Sequence, residues 1–277
     1  MRKIITFVAL CSSLFTTTVS LSQGVSSAAL AQGAKYVSLG SSFAAGPGIA
    51  TQLGTCGRSD NNYPHLVADA LGLTLTDVSC NGATTANILD TPQNGAAPQI
   101  DAVGSDTMLV TVTIGGNDIQ YTSSTFACAG KTAAEHCTAN RDQAAIGEAV
   151  DKLPAELGAM LDAIKAKAPQ AKVVLVTYPR VFPTDAINCR ELALSSNDTA
   201  YLAALGQRLE EAFVSAASST QSLIADSYVL AAGHGPCSLG ERWINGAAAA
   251  STGIRFHPTA EGHIEMARLV LAALGRN

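Results

Sequence analysis

The 277-residue sequence predicts an α/β protein, a three-layer α/β/α sandwich in which helices cover both faces of a five-stranded parallel sheet. Strand-like runs alternate along the chain with stretches of helical periodicity, which is the order that parallel sheets produce. Residues 108–114 (MLVTVTI) form an almost uninterrupted apolar and β-branched run, as expected of a strand buried on both faces. The composition agrees, because 47% hydrophobic and 14% charged residues exclude a disordered chain or a charged coiled coil.

Five strands and four main helices can be placed along the chain. Strands are predicted at Lys35–Gly40 and at residues 73–80, 108–114, 172–178 and 222–229, the last being the weakest. Helices are predicted at residues 62–71, 143–168, 198–218 and 258–274. Pro154 is expected to interrupt the second helix or to begin a new one, because proline lacks the N–H that a helix interior needs.

Two segments, residues 120–141 and 179–197, fit neither pattern, and long irregular loops of this kind are often functional. The sequence contains no linker, low-complexity tract or internal repeat. Residues 32–277 are therefore expected to form one domain.

The N-terminus carries the pattern of a secretory signal peptide. Two basic residues precede an apolar run over residues 4–21, and Ala29-Leu30-Ala31 provides an A-x-A cleavage site. A membrane anchor is the alternative, but serines and threonines interrupt the apolar run too often for a stable span. A lipidated Cys11 is disfavoured, because a leucine precedes it where a small residue would be expected. We expect cleavage near Ala31 and a secreted or cell-envelope-associated protein.

Six cysteines remain after such cleavage, and an even number in an exported protein predicts disulfide bonds. Six cysteines allow 15 pairings. Each neighbouring pair along the chain brackets one loop region, which favours the bonds Cys56–Cys80, Cys128–Cys137 and Cys189–Cys237. No C-x-x-C pair occurs, so a zinc or redox site is not expected.

The charge of the chain bears on its partners. The net charge is −5, from 17 basic and 22 acidic residues. Nucleic-acid binders need a basic face for phosphate contacts, so no nucleic-acid partner is expected. A monomer is expected.

The residues that follow each strand are the candidate site, because open parallel sheets bind ligands beyond the carboxyl ends of their strands. Ser42 follows the first strand at a turn into a helix, where the helix dipole favours developing negative charge; a helix-capping serine is the alternative. Gly82 follows the second strand and can bring its backbone N–H close to a ligand, although a plain turn glycine is equally compatible. Asn117 follows the third strand and two glycines, and its amide can donate to an oxyanion.

His257 is the candidate general base, since it stands just before the proline that opens the last predicted helix. The other histidines are poorer candidates, because they lie within predicted helices or in loops without a companion nucleophile: His65, His263, His136 and His234.

The order Ser42, Gly82, Asn117 and His257 resembles the SGNH (GDSL) hydrolase family, whose four sequence blocks carry these residues. The six cysteines, the Thr177-Tyr178-Pro179 stretch, and residues 233–237 (GHGPC) and 243–245 (WIN) resemble the secreted actinobacterial esterases of that family that have three disulfides. The resemblance runs from about Lys35 to Leu274.

This resemblance implies a flavodoxin-like fold with Ser42 as nucleophile and His257 as base. It also implies an oxyanion hole formed by the N–H groups of Ser42 and Gly82 and the amide of Asn117. The chain order disfavours an α/β-hydrolase, which needs G-x-S-x-G in mid-chain.

Two positions depart from the family pattern. Ser41 stands where the name motif has aspartate, which alters the support of the turn. Ile254 stands where the family has the aspartate that holds the histidine. We hypothesise that the backbone carbonyl of Ile254 orients His257 instead, because a carbonyl can accept the Nδ1–H and select the tautomer. The alternative is that Asp226, at the end of the fifth strand, substitutes from a distance.

The sequence therefore predicts a secreted serine esterase or lipase. It is expected to hydrolyse short- to medium-chain acyl esters or lipids through an acyl-Ser42 intermediate, with a Ser–His dyad and no metal or organic cofactor. Activity is expected to fall as pH drops through about 6–7, the ordinary range of histidine. The alternatives are a catalytically silent cell-envelope binding protein, or an acyltransferase or phospholipase of the same fold.

Overall fold

A five-stranded parallel sheet forms the centre of the computed structural model, which describes residues 1, 30–131, 137–185, 189–249 and 252–276. The strands are β1 (Lys35–Gly40), β2 (Thr74–Asp77), β3 (Thr107–Thr113), β4 (Lys172–Val176) and β5 (Leu223–Ala225). They lie side by side in the order β2-β1-β3-β4-β5 and all run parallel. This order is that of flavodoxin-like sheets, and the predicted α/β fold class is confirmed.

Eight α-helices lie in the described part of the chain. They are α1 (Ser42–Ala45), α2 (Tyr63–Leu71), α3 (Thr85–Leu89), α4 (Tyr121–Cys128), α5 (Gln143–Lys167), α6 (Ser196–Thr220), α7 (Ser227–Leu230) and α8 (Ala260–Ala273). Three 3₁₀ turns add to these, at Gln99–Ala102, Cys137–Asn140 and Arg190–Leu192. A two-stranded antiparallel ribbon pairs Gln52–Leu53 with Arg58–Ser59.

Two apolar cores cover the two faces of the sheet, because successive side chains of a strand point to opposite faces. On one face, Val110 and Val112 of β3 belong to a core that also contains buried residues of α3, α5 and α6. On the other face, Leu109 lies in a second core with residues of α2 and α8. Both faces are therefore buried, which explains the continuous apolar character of the β3 sequence.

The helix α5 runs through Pro154, contrary to the predicted break. Leu153, Leu157 and Met160 are fully buried on the core side of this helix, so packing on both sides of the proline holds the helical path. Tertiary packing thus outweighs the cost of one missing backbone hydrogen bond.

The fifth strand is shorter than predicted and ends at Ala225. The side chain of Asp226 accepts a hydrogen bond from the Val229 N–H at 3.0 Å and so caps α7. Helix α4 lies in a segment for which the sequence pattern predicts no helix. Its buried positions recur at helical spacing but include polar residues such as Ser124 and Thr125, so hydrophobic periodicity could not reveal it.

The three disulfides pair as predicted, Cys56 with Cys80, Cys128 with Cys137 and Cys189 with Cys237. The predicted signal peptide lies outside the described residues except for Met1, Leu30 and Ala31. Among the helices in the described ranges, none combines the length and apolar character needed to cross a membrane.

Candidate active site

The candidate site lies where the strand order reverses, between β1 and β3. Ser42 comes two residues after β1, and Asn117 follows the end of β3. The two strands are hydrogen-bonded neighbours in register to their last residues, Gly40 opposite Thr113. Their carboxyl ends therefore open into one crevice, the position where such sheets bind ligands.

The turn that carries Ser42 requires glycine at position 40. Gly40 has φ +143°, and a Cβ there would lie 2.5 Å from the Thr113 carbonyl oxygen. The buried Gln99 amide holds this residue from both sides, accepting from the Gly40 N–H at 2.7 Å and donating to its carbonyl at 3.0 Å. The Ser41 N–H then donates to the Thr113 carbonyl at 2.9 Å, so the start of α1 is tied to the end of β3.

Ser42 and His257, which are 215 positions apart in the chain, meet in this crevice. Ser42 Oγ lies 2.7 Å from His257 Nε2, and the two residues are 2% and 1% exposed. His257 Nδ1 lies 2.9 Å from the backbone carbonyl oxygen of Arg255. Because a carbonyl can only accept, Nδ1 carries the proton and Nε2 is left as the acceptor for the serine hydroxyl. This is the arrangement that general-base activation of a serine needs.

The carbonyl that orients His257 is that of Arg255, so the hypothesis that assigned this role to Ile254 is wrong. The Ile254 carbonyl instead accepts the backbone N–H of His257 at 3.3 Å and the Asn245 amide at 3.2 Å. Phe256, between Arg255 and His257, has a left-handed backbone with φ +56°. That turn brings the nearer carbonyl, rather than the Ile254 carbonyl, against the ring. Asp226 caps α7 as described above, so the structure gives no support to the alternative of a distant carboxylate.

Asn245 braces the loop that carries His257. Its backbone N–H donates to the His257 carbonyl at 3.0 Å, and its side-chain amide donates to the Thr252 and Ile254 carbonyls at 2.7 and 3.2 Å. In the sequence, the WIN stretch is visible only as a family resemblance. Its role depends on contacts that the sequence alone does not reveal.

Burial sets the proton affinity of His257. The imidazole lies 4.7 Å from the Phe43 ring and 5.8 Å from the Phe126 ring, measured between centroids, and is nearly parallel to the latter. Desolvation lowers the pKa of His257 from 6.5 to about 4 and outweighs the Arg255 carbonyl, which acts in the opposite direction. The ring is therefore neutral at pH 7. We therefore expect activity to fall at a lower pH than the 6–7 predicted from the sequence, since that prediction assumed an ordinary, solvated histidine.

The candidate oxyanion donors lie beside each other. Asn117 Nδ2 donates one hydrogen to the Ala83 carbonyl at 2.9 Å, which leaves its second N–H available and holds the amide next to Gly82. Gly82 has φ +81°, a conformation that favours glycine. The Cys80 N–H donates to the Gly40 carbonyl at 2.9 Å and ties this turn to the Ser42 turn. Among the backbone hydrogen bonds of turns, loops and helix caps in the described part of the chain, none has the N–H of Gly82 or of Ser42 as its donor.

Asp118 is a further residue of the site that sequence analysis did not single out. Its Oδ1 accepts from the Thr85 N–H at 2.9 Å and from the Thr85 hydroxyl at 2.6 Å. This carboxylate therefore joins the Asn117 turn to the start of α3, which follows the Gly82 turn. Its position next to Asn117 was the only available signal.

The other described histidines have packing roles. His263 is buried in α8, where Nδ1 accepts the Tyr63 N–H at 3.0 Å, and burial lowers its pKa to about 3. His65 pairs with the Asn62 side chain at 2.8 Å, and His234 stacks on Trp243 with centroids 4.0 Å apart. His136 lies outside the described residues. Over the described ranges, no three His, Cys, Asp or Glu side chains converge as a metal site would require.

Comparison with known proteins places this geometry in a family. Residues 38–263 match the GDSL-like lipase/acylhydrolase family. Lipase 2 of Streptomyces coelicolor is 36% identical over 87% of this chain and 85% of its own, and a lipase of Streptomyces rimosus is 31% identical over 83% of each.

Two solved structures have the same fold. The extracellular lipase of Streptomyces rimosus matches with a TM-score of 0.70 and 29% identity, over 86% of this chain and 99% of its own. Phospholipase A1 of Streptomyces albidoflavus NA297 matches with a TM-score of 0.72 and 26% identity, over 87% and 99%. From these matches, the chain belongs to the GDSL-like lipase/acylhydrolase family and is a carboxylic ester hydrolase.

Proposed function

We propose that the protein is a secreted serine esterase in which Ser42 and His257 act as a catalytic dyad. The observation that carries the proposal is the 2.7 Å approach of Ser42 Oγ to His257 Nε2, with Nδ1 bonded to the Arg255 carbonyl. Neutral His257 takes the Ser42 proton as Oγ attacks the ester carbonyl. The alcohol leaves with that proton, and a water molecule deprotonated by His257 then releases the acid from acyl-Ser42.

The oxyanion that forms in each step is bound by the N–H groups of Ser42 and Gly82 and by the free N–H of Asn117. The hydrogen bond from Asn117 to the Ala83 carbonyl supports this role, because it holds the amide in place before the substrate arrives. Preorganised donors of this kind are worth roughly 10²–10³-fold in turnover each.

The substrates are short- to medium-chain acyl esters or lipids. The support is the aromatic surroundings of the dyad, Phe43 and Phe126, together with the names of the relatives, which are lipases, an esterase and a phospholipase A1. Secretion is supported by the N-terminal sequence pattern, by three disulfides and by the similarity to the extracellular lipase of Streptomyces rimosus.

Labelling with a fluorophosphonate probe tests the dyad, because such probes bond only to an activated serine. The oxidised mature protein is compared with the variants Ser42→Ala and His257→Ala. His65→Ala is the matched control, since His65 lies on α2 and bonds to Asn62. The wild type and the control should label, and the two dyad variants should not.

A panel of p-nitrophenyl esters from acetate to palmitate then gives the preferred acyl length. Labelling that survives in Ser42→Ala would assign the nucleophile elsewhere. A folded wild-type protein that neither labels nor hydrolyses any ester of the panel would contradict the proposed function.

A further inference from the structure

Tyr178 contacts both turns that carry the proposed catalytic groups. Its hydroxyl lies 2.8 Å from Ser41 Oγ, one residue before the nucleophile, and accepts the Gly116 N–H at 3.3 Å, one residue before Asn117. Tyr178 follows β4 and is 3% exposed. We infer that Tyr178 is a positioning residue. It fixes the turn that carries Ser42 (the nucleophile turn) relative to the turn that carries Asn117 (the oxyanion turn). This inference rests on the proposed function.

The ring of Tyr178 makes the same connection through packing. A Cβ on Gly116 would lie 2.8 Å from the Tyr178 Cε1 atom, so the oxyanion turn lies directly against the phenol ring and only glycine fits there. The ring centroid also lies 4.2 Å from that of Phe43, whose own ring lies 4.7 Å from His257. Tyr178 therefore contacts the residues that precede the nucleophile and the oxyanion donor, and it packs against the phenylalanine that lies beside the base.

The serine at position 41 is compatible with this role. Burial raises the pKa of Tyr178, so its hydroxyl stays neutral and can accept from Gly116 while it donates to Ser41. A neutral hydroxyl at position 41 matches a neutral phenol without placing a charge in the core. The departure of Ser41 from the family motif thus belongs to a local hydrogen-bond network that this chain completes with Tyr178.

The backbone alone does not make this connection. The Ser41 N–H bonds to Thr113 at the end of β3, but the chain then turns at two glycines before it reaches Asn117. Glycines leave such a turn conformationally free. The Gly116 carbonyl accepts the Tyr121 N–H at 2.8 Å, which ties the turn to the start of α4 and not to Ser41. The Tyr178 hydroxyl is the contact that joins Gly116 to Ser41.

The variant Tyr178→Phe removes one oxygen atom and tests the inference. We expect kcat on p-nitrophenyl butyrate to fall about tenfold, with KM within twofold, because misplaced catalytic groups weaken transition-state binding more than substrate binding. Fluorophosphonate labelling of Ser42 should slow by a similar factor. Tyr36→Phe is the matched control, since Tyr36 is fully buried and its hydroxyl bonds Thr111 at 2.7 Å without touching either turn.

The double variant Ser41→Ala/Tyr178→Phe adds a second readout. If Ser41 acts through Tyr178, the double variant should match Tyr178→Phe within twofold instead of losing further activity. Losses that multiply would overturn the inference, as would a kcat of Tyr178→Phe within twofold of Tyr36→Phe. If Tyr178→Phe fails to fold by circular dichroism, Ser41→Ala alone decides, and an unchanged kcat refutes the role.

Failure of the proposed function would look different. In that case the wild-type protein would not label at all. A wild type that labels, beside a Tyr178→Phe variant that labels at the same rate, refutes only the positioning role.

Discussion

The pH dependence of activity provides a strict test of the buried base. With a pKa of about 4, His257 is about 90% neutral at pH 5, whereas a histidine of pKa 6.5 would be about 3% neutral. The difference is about 30-fold in the active fraction of enzyme. We therefore expect the kcat/KM of the wild type at pH 5 to stay within about 10–20% of its value at pH 7. The fall of kcat/KM with decreasing pH, the acid limb of the profile, should be centred near pH 4.

Uncovering the ring should move this limb. Phe126 stacks on His257 at 5.8 Å, and Phe126→Ala admits water to the imidazole, which relieves part of the desolvation that lowers the pKa. The acid limb should rise by about one pH unit, which corresponds to about 1.4 kcal/mol. Phe126→Leu keeps an apolar cover and serves as the control.

The assay is the initial rate of p-nitrophenyl butyrate hydrolysis below its KM, at constant ionic strength from pH 3.5 to 8. Folding must be followed in parallel, because His257 and His263 both have lowered pKa values. The unfolded chain binds more protons below pH 6.5, so stability decreases as pH falls from 6.5 towards 4. Circular dichroism, and recovery of activity on return to pH 7, separate unfolding from titration.

A wild-type limb at pH 6–7 in a folded chain would refute the argument that burial controls this base. A flat rate down to pH 3.5 would contradict the assignment of His257 as base.

Three further outcomes are expected. Ile254→Asp should raise kcat by less than about threefold, because the Arg255 carbonyl already accepts the Nδ1–H of His257 at 2.9 Å. Steady-state kinetics measure this, and a tenfold rise would mean that the dyad lacks an orienting acid. Asn117→Ala should lower kcat by about 10²–10³-fold with KM changed by only a few-fold, and a loss confined to KM would remove Asn117 from the oxyanion hole. Burial, with a smaller contribution from Asp226, raises the pKa of Glu210 to about 7, so the folded state holds this proton more tightly and stability is lost as pH rises from 4.5 to 7. Glu210→Gln should therefore raise the free energy of unfolding in urea by about 2 kcal/mol at pH 8, after allowance for partial solvent contact, and by almost nothing at pH 4. Equal effects at both pH values would contradict the raised pKa of Glu210.

The sequence predicted those features that depend on residue order and local pattern. The β3 run is apolar along its whole length because both faces of that strand are buried, so its position could be read directly. Ser42, Gly82 and Asn117 each follow a strand, and the ends of parallel strands must meet at one edge of the sheet. The disulfide pairing was predicted by joining cysteines that are neighbours along the chain, and the structure has these three bonds. The assumption that each bond closes one loop is wrong for Cys56–Cys80 and Cys189–Cys237, because these two bonds enclose helices and strands.

Other features were decided by contacts between segments far apart in the chain. Helix α4 buries hydroxyl side chains, and α5 passes through a proline, so neither followed local rules. The choice of the Arg255 carbonyl over that of Ile254 depends on the left-handed backbone at Phe256, a conformation that the sequence does not indicate for phenylalanine.

The pKa of His257 and the role of Tyr178 depend on the tertiary structure for the same reason. Desolvation of the imidazole comes from rings on α1 and α4, and the hydroxyl of Tyr178, which follows β4, joins the turns that follow β1 and β3. The sequence by itself determined which residues are candidates for catalysis, because a residue's chemical type and its position after a strand can both be recognised in the sequence. Only the tertiary structure decided their proton affinities and hydrogen-bond partners, because burial and close contact are properties of the assembled fold.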